Sequence, residues 1–262
     1  MEMGLDIIGL FSTGAIGLSV FVVLWAVSLL VEDASIVDPY WGMSFVVLAL
    51  IAADVSPYGF SASHWLVLGL TLIWGLRLSL YLGWRNLGHG EDKRYRRMRD
   101  KRGDAFPLWS LYGVFILQWG IGFAVGLPVT VTLLSPDGGL GVLAVLGALV
   151  WLVGFVFETL GDWQLARFKA DPANAGKVMD QGLWRYTRHP NYFGDACVWW
   201  GLGLIAAGAG HWWTLAGSAL MTLFLVNVSG KALLEKDLKN RPAYADYIAR
   251  TSGFVPRPPR GT

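Results

Sequence analysis

The sequence predicts an all-α membrane protein, a polytopic bundle of about seven transmembrane helices with its N-terminus outside and its C-terminus in the cytosol. Three observations predict it. Across 262 residues, 54% are hydrophobic and only 15% are charged, where a soluble domain carries about 25% charged residues; the mean hydropathy is +0.47. The apolar residues come in blocks, and about 20 apolar residues carry a helix across the hydrocarbon core. Helices are required because open strands in lipid would leave backbone groups unpaired.

The blocks lie at roughly 5–31, 37–53, 65–84, 108–134, 139–161, 193–210 and 212–230. The N-terminal stretch has neither the basic region nor the small-residue cleavage site of a signal peptide, so it is expected to be a first span. The second block is short and opens on Asp38-Pro39. The last two are separated only by the residues around Gly210-His211, which predicts a tight helical hairpin. Together the blocks make one integral membrane domain over 1–262, with cytosolic segments 85–107, 162–192 and 231–262.

Charge placement gives the orientation. The 21 Lys and Arg fall almost entirely between Arg85 and Arg102, Arg167 and Arg188, and Lys231 and Arg260. With seven spans these three segments share one side, and the positive-inside rule makes that side cytosolic. The expected location is a bacterial inner membrane, with membrane lipids as neighbours. A single cysteine, Cys197, excludes a disulfide framework and a Cys-based metal site, and no metal is expected. The run Glu91 to Arg102 predicts a short interfacial helix ended by Gly103 and facing headgroups. It is too short, and has no surrounding domain, for nucleic-acid binding.

The densest polar cluster lies in 158–195. Glu158, Asp162 and Lys169 share a helix face by their spacing. After a turn at Ala173 to Gly176 comes Gly182-Leu183-Trp184-Arg185-Tyr186-Thr187-Arg188-His189-Pro190-Asn191-Tyr192-Phe193-Gly194-Asp195. Pro190 allows a helix to begin there, and a helix N-terminus preceded by Arg185, Arg188 and His189 suits an anion. Beyond the last span, Asn227, Lys231 and Glu235 fall on one face. Near the other end, Asp38 opens the second span, and Arg77, with Tyr81 a turn further on, lies inside the third. Such charges face a bundle interior or water, and Asp38 close to Arg77 would solve both desolvation problems. Gly201-Leu202-Gly203 imitates the start of a dinucleotide fingerprint, but mid-span it reads as close helix packing.

The run Gly182 to Asp195 resembles the C-terminal signature of membrane steroid and sterol reductases. From Val37-Asp38-Pro39-Tyr40-Trp41-Gly42 to Phe254-Val255-Pro256 the chain looks like a bacterial member of the steroid 5α-reductase-like superfamily, and it is also similar to sterol C14/Δ7 reductases. The resemblance implies a seven-helix fold holding NADPH in a cytosol-facing cavity, with hydride passing to a C=C bond conjugated to a ketone, as in a 3-oxo-Δ4-steroid. It implies cofactor contacts at Asp162, Asn191 and Asp195, and basic or polar support from Arg167, Lys169, Arg185, Arg188, His189 and Tyr192, with Lys231 and Glu235 following the last span. The family's Gln-Glu pair near the second span and its Tyr in the third are not matched. This sequence offers Asp38 (or Glu32 and Asp33), with Tyr40, and Trp74 or Tyr81 nearest the Tyr. The lipophilic substrate is expected to enter from the bilayer. Oligomeric state is not legible.

Arg-His-Pro-x-Tyr-x-Gly, from Arg188 to Gly194, also resembles the S-adenosylmethionine site of membrane methyltransferases of the isoprenylcysteine carboxyl methyltransferase type. A non-catalytic lipid-binding or transport protein would use the same cavity for neither cofactor.

Overall fold

The computed structural model describes residues 4–86, 88–136, 138–228 and 242–260. Every regular element among these residues is helical. Among the described residues, five helical stretches are long and apolar enough to cross a membrane: Ile7–Leu30, Ala34–Val55, Ala62–Asn86, Lys93–Val125 and Val142–Ala170. The last two apolar blocks are helical as well, over Pro190–Gly208 and Trp212–Val228. Helices of this length, with Ile8, Phe11, Leu80 and Val142 turned outward, mark an integral membrane protein.

Local chemistry explains the boundaries. Helix α1 (Ile7–Leu30) ends where Glu32 takes a left-handed φ of 54°. Asp33 caps the turn that follows, accepting from the Ser35 N–H at 2.8 Å. Helix α2 (Val37–Val55) carries Asp38-Pro39 in its first turn, where a proline removes no intrahelical bond. Helix α3 spans Ala62–Asn86. The basic run forms α4 (Lys93–Arg102), capped by Asp92 and stopped at Gly103. The fourth apolar block is broken into α5 (Phe106–Ser110), a wide turn over Leu111–Ile116, α6 (Leu117–Val125) and α7 (Leu127–Leu133). The break at Gly126 precedes Pro128, which cannot extend α6. Then come α8 (Val142–Ala170), α9 (Pro190–Gly208), α10 (Leu215–Leu223) and α11 (Pro242–Arg250).

The chain divides into two compact units, Met1–Gly141 with Gly208–Thr214, and Val142–Ala207 with Leu215–Thr262. In the first, α2 and α3 cross at Gly42 and Gly75: a Cβ on Gly42 would lie 2.6 Å from the Gly75 carbonyl oxygen, and one on Gly75 2.7 Å from that of Gly42. Helix α1 meets α6 through Trp119, whose indole N–H donates to the Gly14 carbonyl at 3.2 Å. Phe21, Val37, Tyr95, Phe106 and Phe115 form a buried cluster, with Tyr40 packed against it.

In the second unit α8 and α9 run antiparallel with their backbones touching. A Cβ on Gly147 would lie 2.6 Å from the Gly201 oxygen, and one on Gly154 2.5 Å from the Gly194 oxygen. Gly161, the third of this seven-residue series, faces Pro190 and the Asn191 N–H. Small residues at helix interfaces are how membrane helices approach closely, because lipid offers no hydrophobic drive between them. The Gly201-Leu202-Gly203 reading as a packing motif is therefore met by a specific partner, Gly147.

Gly154→Val places branched carbons where the Gly194 oxygen and the Val198 N–H stand. We expect a loss of about 3 kcal/mol by overpacking, read as a fall in unfolding midpoint in detergent. Gly69→Ala, where a Cβ meets nothing within 4 Å, should leave the midpoint unchanged or raise it slightly.

Candidate functional site

In the second unit the glycine seam delivers two polar side chains to one point. One residue past Gly161 stands Asp162, and opposite it, one past Pro190, stands Asn191. The Asn191 Nδ2 donates to Asp162 Oδ1 at 3.1 Å. Glu158 and Asp195, each a turn deeper on its own helix, are buried with them. Asn191 Oδ1 is buried with no hydrogen-bond partner among the described residues. His189 stacks on Tyr192, ring centroids 5.4 Å apart and planes within 5°. These five residues of the sequence-predicted site (Asp162, His189, Asn191, Tyr192 and Asp195) thus gather at the signature run, on the α8 end and the α9 start.

The approach to α9 is pinned from two sides. Gly182, at φ +57°, opens a single turn against Gln164, and the Leu183 N–H donates to Gln164 Oε1 at 3.0 Å. The Trp184 indole donates to the Gly161 oxygen at 3.0 Å, tying this turn to the seam. On the other side, the C-terminal tail closes over the run. Thr187 Oγ1 donates to the Phe254 oxygen at 2.8 Å, and the Arg188 N–H to the Ser252 oxygen at 2.9 Å. The Tyr247 hydroxyl donates to the Trp184 oxygen at 2.5 Å. Burial pushes the Tyr247 phenol well above its ordinary range, so it remains a donor.

Arg188, expected as an anion contact, is buried with its Nη1 on the Thr251 and Ile248 carbonyls. It clamps the tail. Arg185 and Lys169 lie exposed, and Arg167 is exposed with its guanidinium 5.5 Å from the Trp163 ring centroid. Lys231 and Glu235 lie outside the described residues. Among the described residues no group of three or more His, Cys, Asp or Glu could hold a metal ion.

The first unit places Asp38 in a polar cluster of its own. The cation that meets it is Arg94, at 2.5 Å on Oδ2, while the Tyr95 hydroxyl donates to Oδ1 at 2.6 Å. Gln118 Nε2 donates to the Tyr95 oxygen at 3.3 Å. Both carboxylate oxygens therefore act as acceptors. Tyr40 makes an edge contact with Phe21 at 5.2 Å. Tyr81 has Arg77 over its ring at 5.6 Å and Arg85 at 6.0 Å. The headgroup-facing role expected of the 91–102 helix is thus incomplete: α4 docks on the start of α2. Arg94, Tyr95 and Gln118 were not singled out from sequence. A glutamine alone in an apolar span was the available signal for the last.

Glu91 completes the docking. It accepts the Ala34 N–H at 2.9 Å and a two-pronged pairing from Arg99, at 2.7 and 3.0 Å. Arg99 also reaches the carbonyl of the left-handed Glu32 at 3.2 Å, so Glu32 serves as a backbone acceptor. Asp33 is occupied in capping.

A family model described as "Protein of unknown function (DUF1295)" matches residues 24–251. The chain belongs to this family. The DUF1295 match runs from within α1 to the start of the tail, so Asp38 and the Asp162–Asn191 pair both lie inside it. An uncharacterized protein of Schizosaccharomyces pombe is 24% identical over 265 residues, covering 90% of this chain and 76% of that protein. A protein named "Probable O-methyltransferase", of Ustilaginoidea virens, is 30% identical over 111 residues, 42% of this chain and 34% of its own length. No solved structure matches.

The Glu91 contacts carry a pH dependence. Burial alone would raise its carboxyl, but the Arg99 hydrogen bond and the Ala34 N–H outweigh it and hold it below the ordinary 4.5. A folded-state value below the unfolded one contributes stability above about 4.5, and that stability is lost as pH falls through the lower, folded value. The protection of the α4 amides, taken relative to the intrinsic exchange rate at each pH, should therefore fall on acidification below that range in the wild type. Glu91→Gln should show lower protection already at neutral pH and a flatter response to acid.

Proposed function

We propose that this protein is a membrane-embedded NADPH-dependent reductase that delivers hydride to the C=C bond of an α,β-unsaturated ketone, such as a 3-oxo-Δ4-steroid. The observation that carries the reading is the Asn191 side chain. Its amide is oriented by Asp162 across the glycine seam, and its buried oxygen is left to accept from a ligand. A carboxamide acceptor beside stacked His189 and Tyr192 fits the amide of a nicotinamide, and Asp195 and the exposed Arg167, Lys169 and Arg185 suit the remaining polar and phosphate groups. When bound, NADPH supplies the hydride, and the protein supplies orientation and electrostatics. The residues assigned to the cofactor are those the resemblance implies, less Arg188, whose guanidinium is held by the tail carbonyls. The site is assigned to the cytosolic face of a bacterial inner membrane, where the basic segments lie. The lipophilic substrate is assigned to the bilayer.

Polarising the substrate carbonyl requires a hydrogen-bond donor. With both Asp38 oxygens accepting, Asp38 is better suited to orienting a donor than to being one. Arg94 has five N–H groups, of which the Asp38 and Asp92 bonds use two. Arg94 is therefore assigned as donor, with Asp38 and Tyr95 fixing its position. Tyr40 and Tyr81 stand as the other hydroxyl candidates.

A second reading has its own support. The probable O-methyltransferase relative and the Arg188 to Gly194 pattern both favour a membrane methyltransferase using S-adenosylmethionine. Titration of the protein in nanodiscs with each cofactor separates the two. We expect saturable NADPH binding that weakens about tenfold, the loss of one or two hydrogen bonds, in Asn191→Ala that still unfolds cooperatively, at a somewhat lower midpoint for loss of its bond to Asp162. Saturable binding of S-adenosylmethionine alone would replace the reductase reading with the methyltransferase one.

For the substrate end, single-turnover oxidation of bound NADPH by a 3-oxo-Δ4-steroid should collapse in Asp38→Ala while NADPH affinity is kept. Undiminished turnover would remove Asp38 and its donors from the mechanism.

A further inference from the structure

We propose that the C-terminal tail forms a binding site for a phosphate group carried on an organic body, with Arg257 and Arg260 supplying its guanidinium contacts. Within the second unit the tail lines an open cleft of about 500 Å³, inside the roughly 300–1,000 Å³ range of small-molecule sites and larger than a bare anion needs. Four arginines line it: Arg188, Arg250, Arg257 and Arg260. The planar, permanently charged guanidinium matches phosphate oxygens two at a time, and the exposed Arg257 and Arg260 side chains are the two that can do so here.

The arginines are held in different ways. Arg188 is buried and fixed by the Thr251 and Ile248 carbonyls. Arg250 pairs with Asp180 at 2.6 Å and Asp246 at 3.2 Å. Arg257 and Arg260 have exposed side chains with no ion-pair or hydrogen-bond partner among the described residues. Their backbones are nevertheless anchored, the Arg257 N–H on the Tyr186 oxygen and the Arg260 N–H on the Arg250 oxygen, each at 3.0 Å. A second, independent observation points to a ligand. Thr251 lines the cavity, is 4% exposed, and has a hydroxyl with no hydrogen-bond partner among the described residues. A buried hydroxyl left unsatisfied is costly, and an oxyanion would satisfy it. Phe254 adds an apolar wall suited to the body behind the phosphate.

Arg188 belongs to the 182–195 run, but Asp162, Asn191 and Asp195 do not line this cavity, and Arg257 and Arg260 lie beyond the residues the family model matches. It does not rest on the reductase reading. The phosphate has two possible sources, a soluble phosphomonoester or the headgroup of an anionic phospholipid, and the test has an arm for each.

The full chain is placed in phosphatidylcholine nanodiscs and titrated calorimetrically with glycerol 3-phosphate and adenosine 5′-monophosphate, with glycerol and adenosine as phosphate-free controls. In parallel, its unfolding midpoint is followed as phosphatidic acid replaces part of the phosphatidylcholine. A saturable response in one arm, absent with its phosphate-free or zwitterionic control, identifies the source. The double variant Arg257→Gln/Arg260→Gln should weaken it about tenfold. Thr251→Val should weaken it a few-fold while leaving the unliganded midpoint unchanged or higher, since it removes an unsatisfied hydroxyl. No saturable response in either arm, or one of equal strength in wild type and double variant, overturns the proposal.

Discussion

The second unit depends on the direct contact of two helix backbones. With glycine at 147, 154 and 161 on α8 and at 194 and 201 on α9, no side chain separates the helices along one stripe. A seven-residue spacing keeps that stripe on one face over two turns, drifting only about 20° per repeat. The consequence reaches the chemistry. Asp162 and Asn191 are the first positions beyond the last close approach, and two short side chains can bond there only because the backbones have been brought so near. A methyl group on Gly147 or Gly154 would push the pair apart, although it touched neither residue.

Both units solve the same problem at the ends of their apolar spans, where polar groups are caught between lipid and water. In each, a segment outside the spans folds back to supply partners. In the first, α4 brings Arg94 and Tyr95 to Asp38, and Arg99 with Glu91 to the 32–34 turn. In the second, the tail brings carbonyls from 248, 251, 252 and 254 to Thr187 and Arg188. An unpartnered buried polar group costs about 1–3 kcal/mol, so these returning segments are as much a part of the fold as the spans. The first returning segment supplies mainly side-chain donors and the second mainly backbone acceptors.

This division explains what was legible in the sequence. Blocks of apolar residues, Pro190 and Gly103 set helix positions through composition and backbone chemistry, which are local properties, and the helices lie where those signals place them. Gly201-Leu202-Gly203 could be read as packing, but its partner Gly147 could not, because pairing two helices requires knowing their direction and register. Asp162 and Asn191 were legible through the resemblance carried by the 182–195 run. The partners of Asp38 were not: Arg94 lies 56 residues away in sequence, in a run whose alternating charges look like ordinary headgroup-facing surface. Arg188 shows the opposite error. Its place before a helix N-terminus suggests an anion, while the tail carbonyls that receive it arrive some sixty residues later, with no spacing rule to announce them.

The distinction between committed and uncommitted polar atoms therefore carries more weight than residue type. Arg188 and Tyr95 are chemically apt for binding or catalysis, yet each spends hydrogen bonds on holding a returning segment in place. Asn191 Oδ1 and Thr251 Oγ1 are unremarkable by residue type, yet each is buried without a partner among the described residues and stands beside cationic or aromatic groups. Folded proteins keep few such atoms, and each calls for a reason. The two lie on different walls of the second unit, one on the glycine seam and one on the tail, and neither can be satisfied by the other's ligand-facing residues. Two separate ligand groups, one donating to an amide oxygen and one accepting from a hydroxyl amid arginines, account for both atoms with the fewest assumptions about movement of the fold.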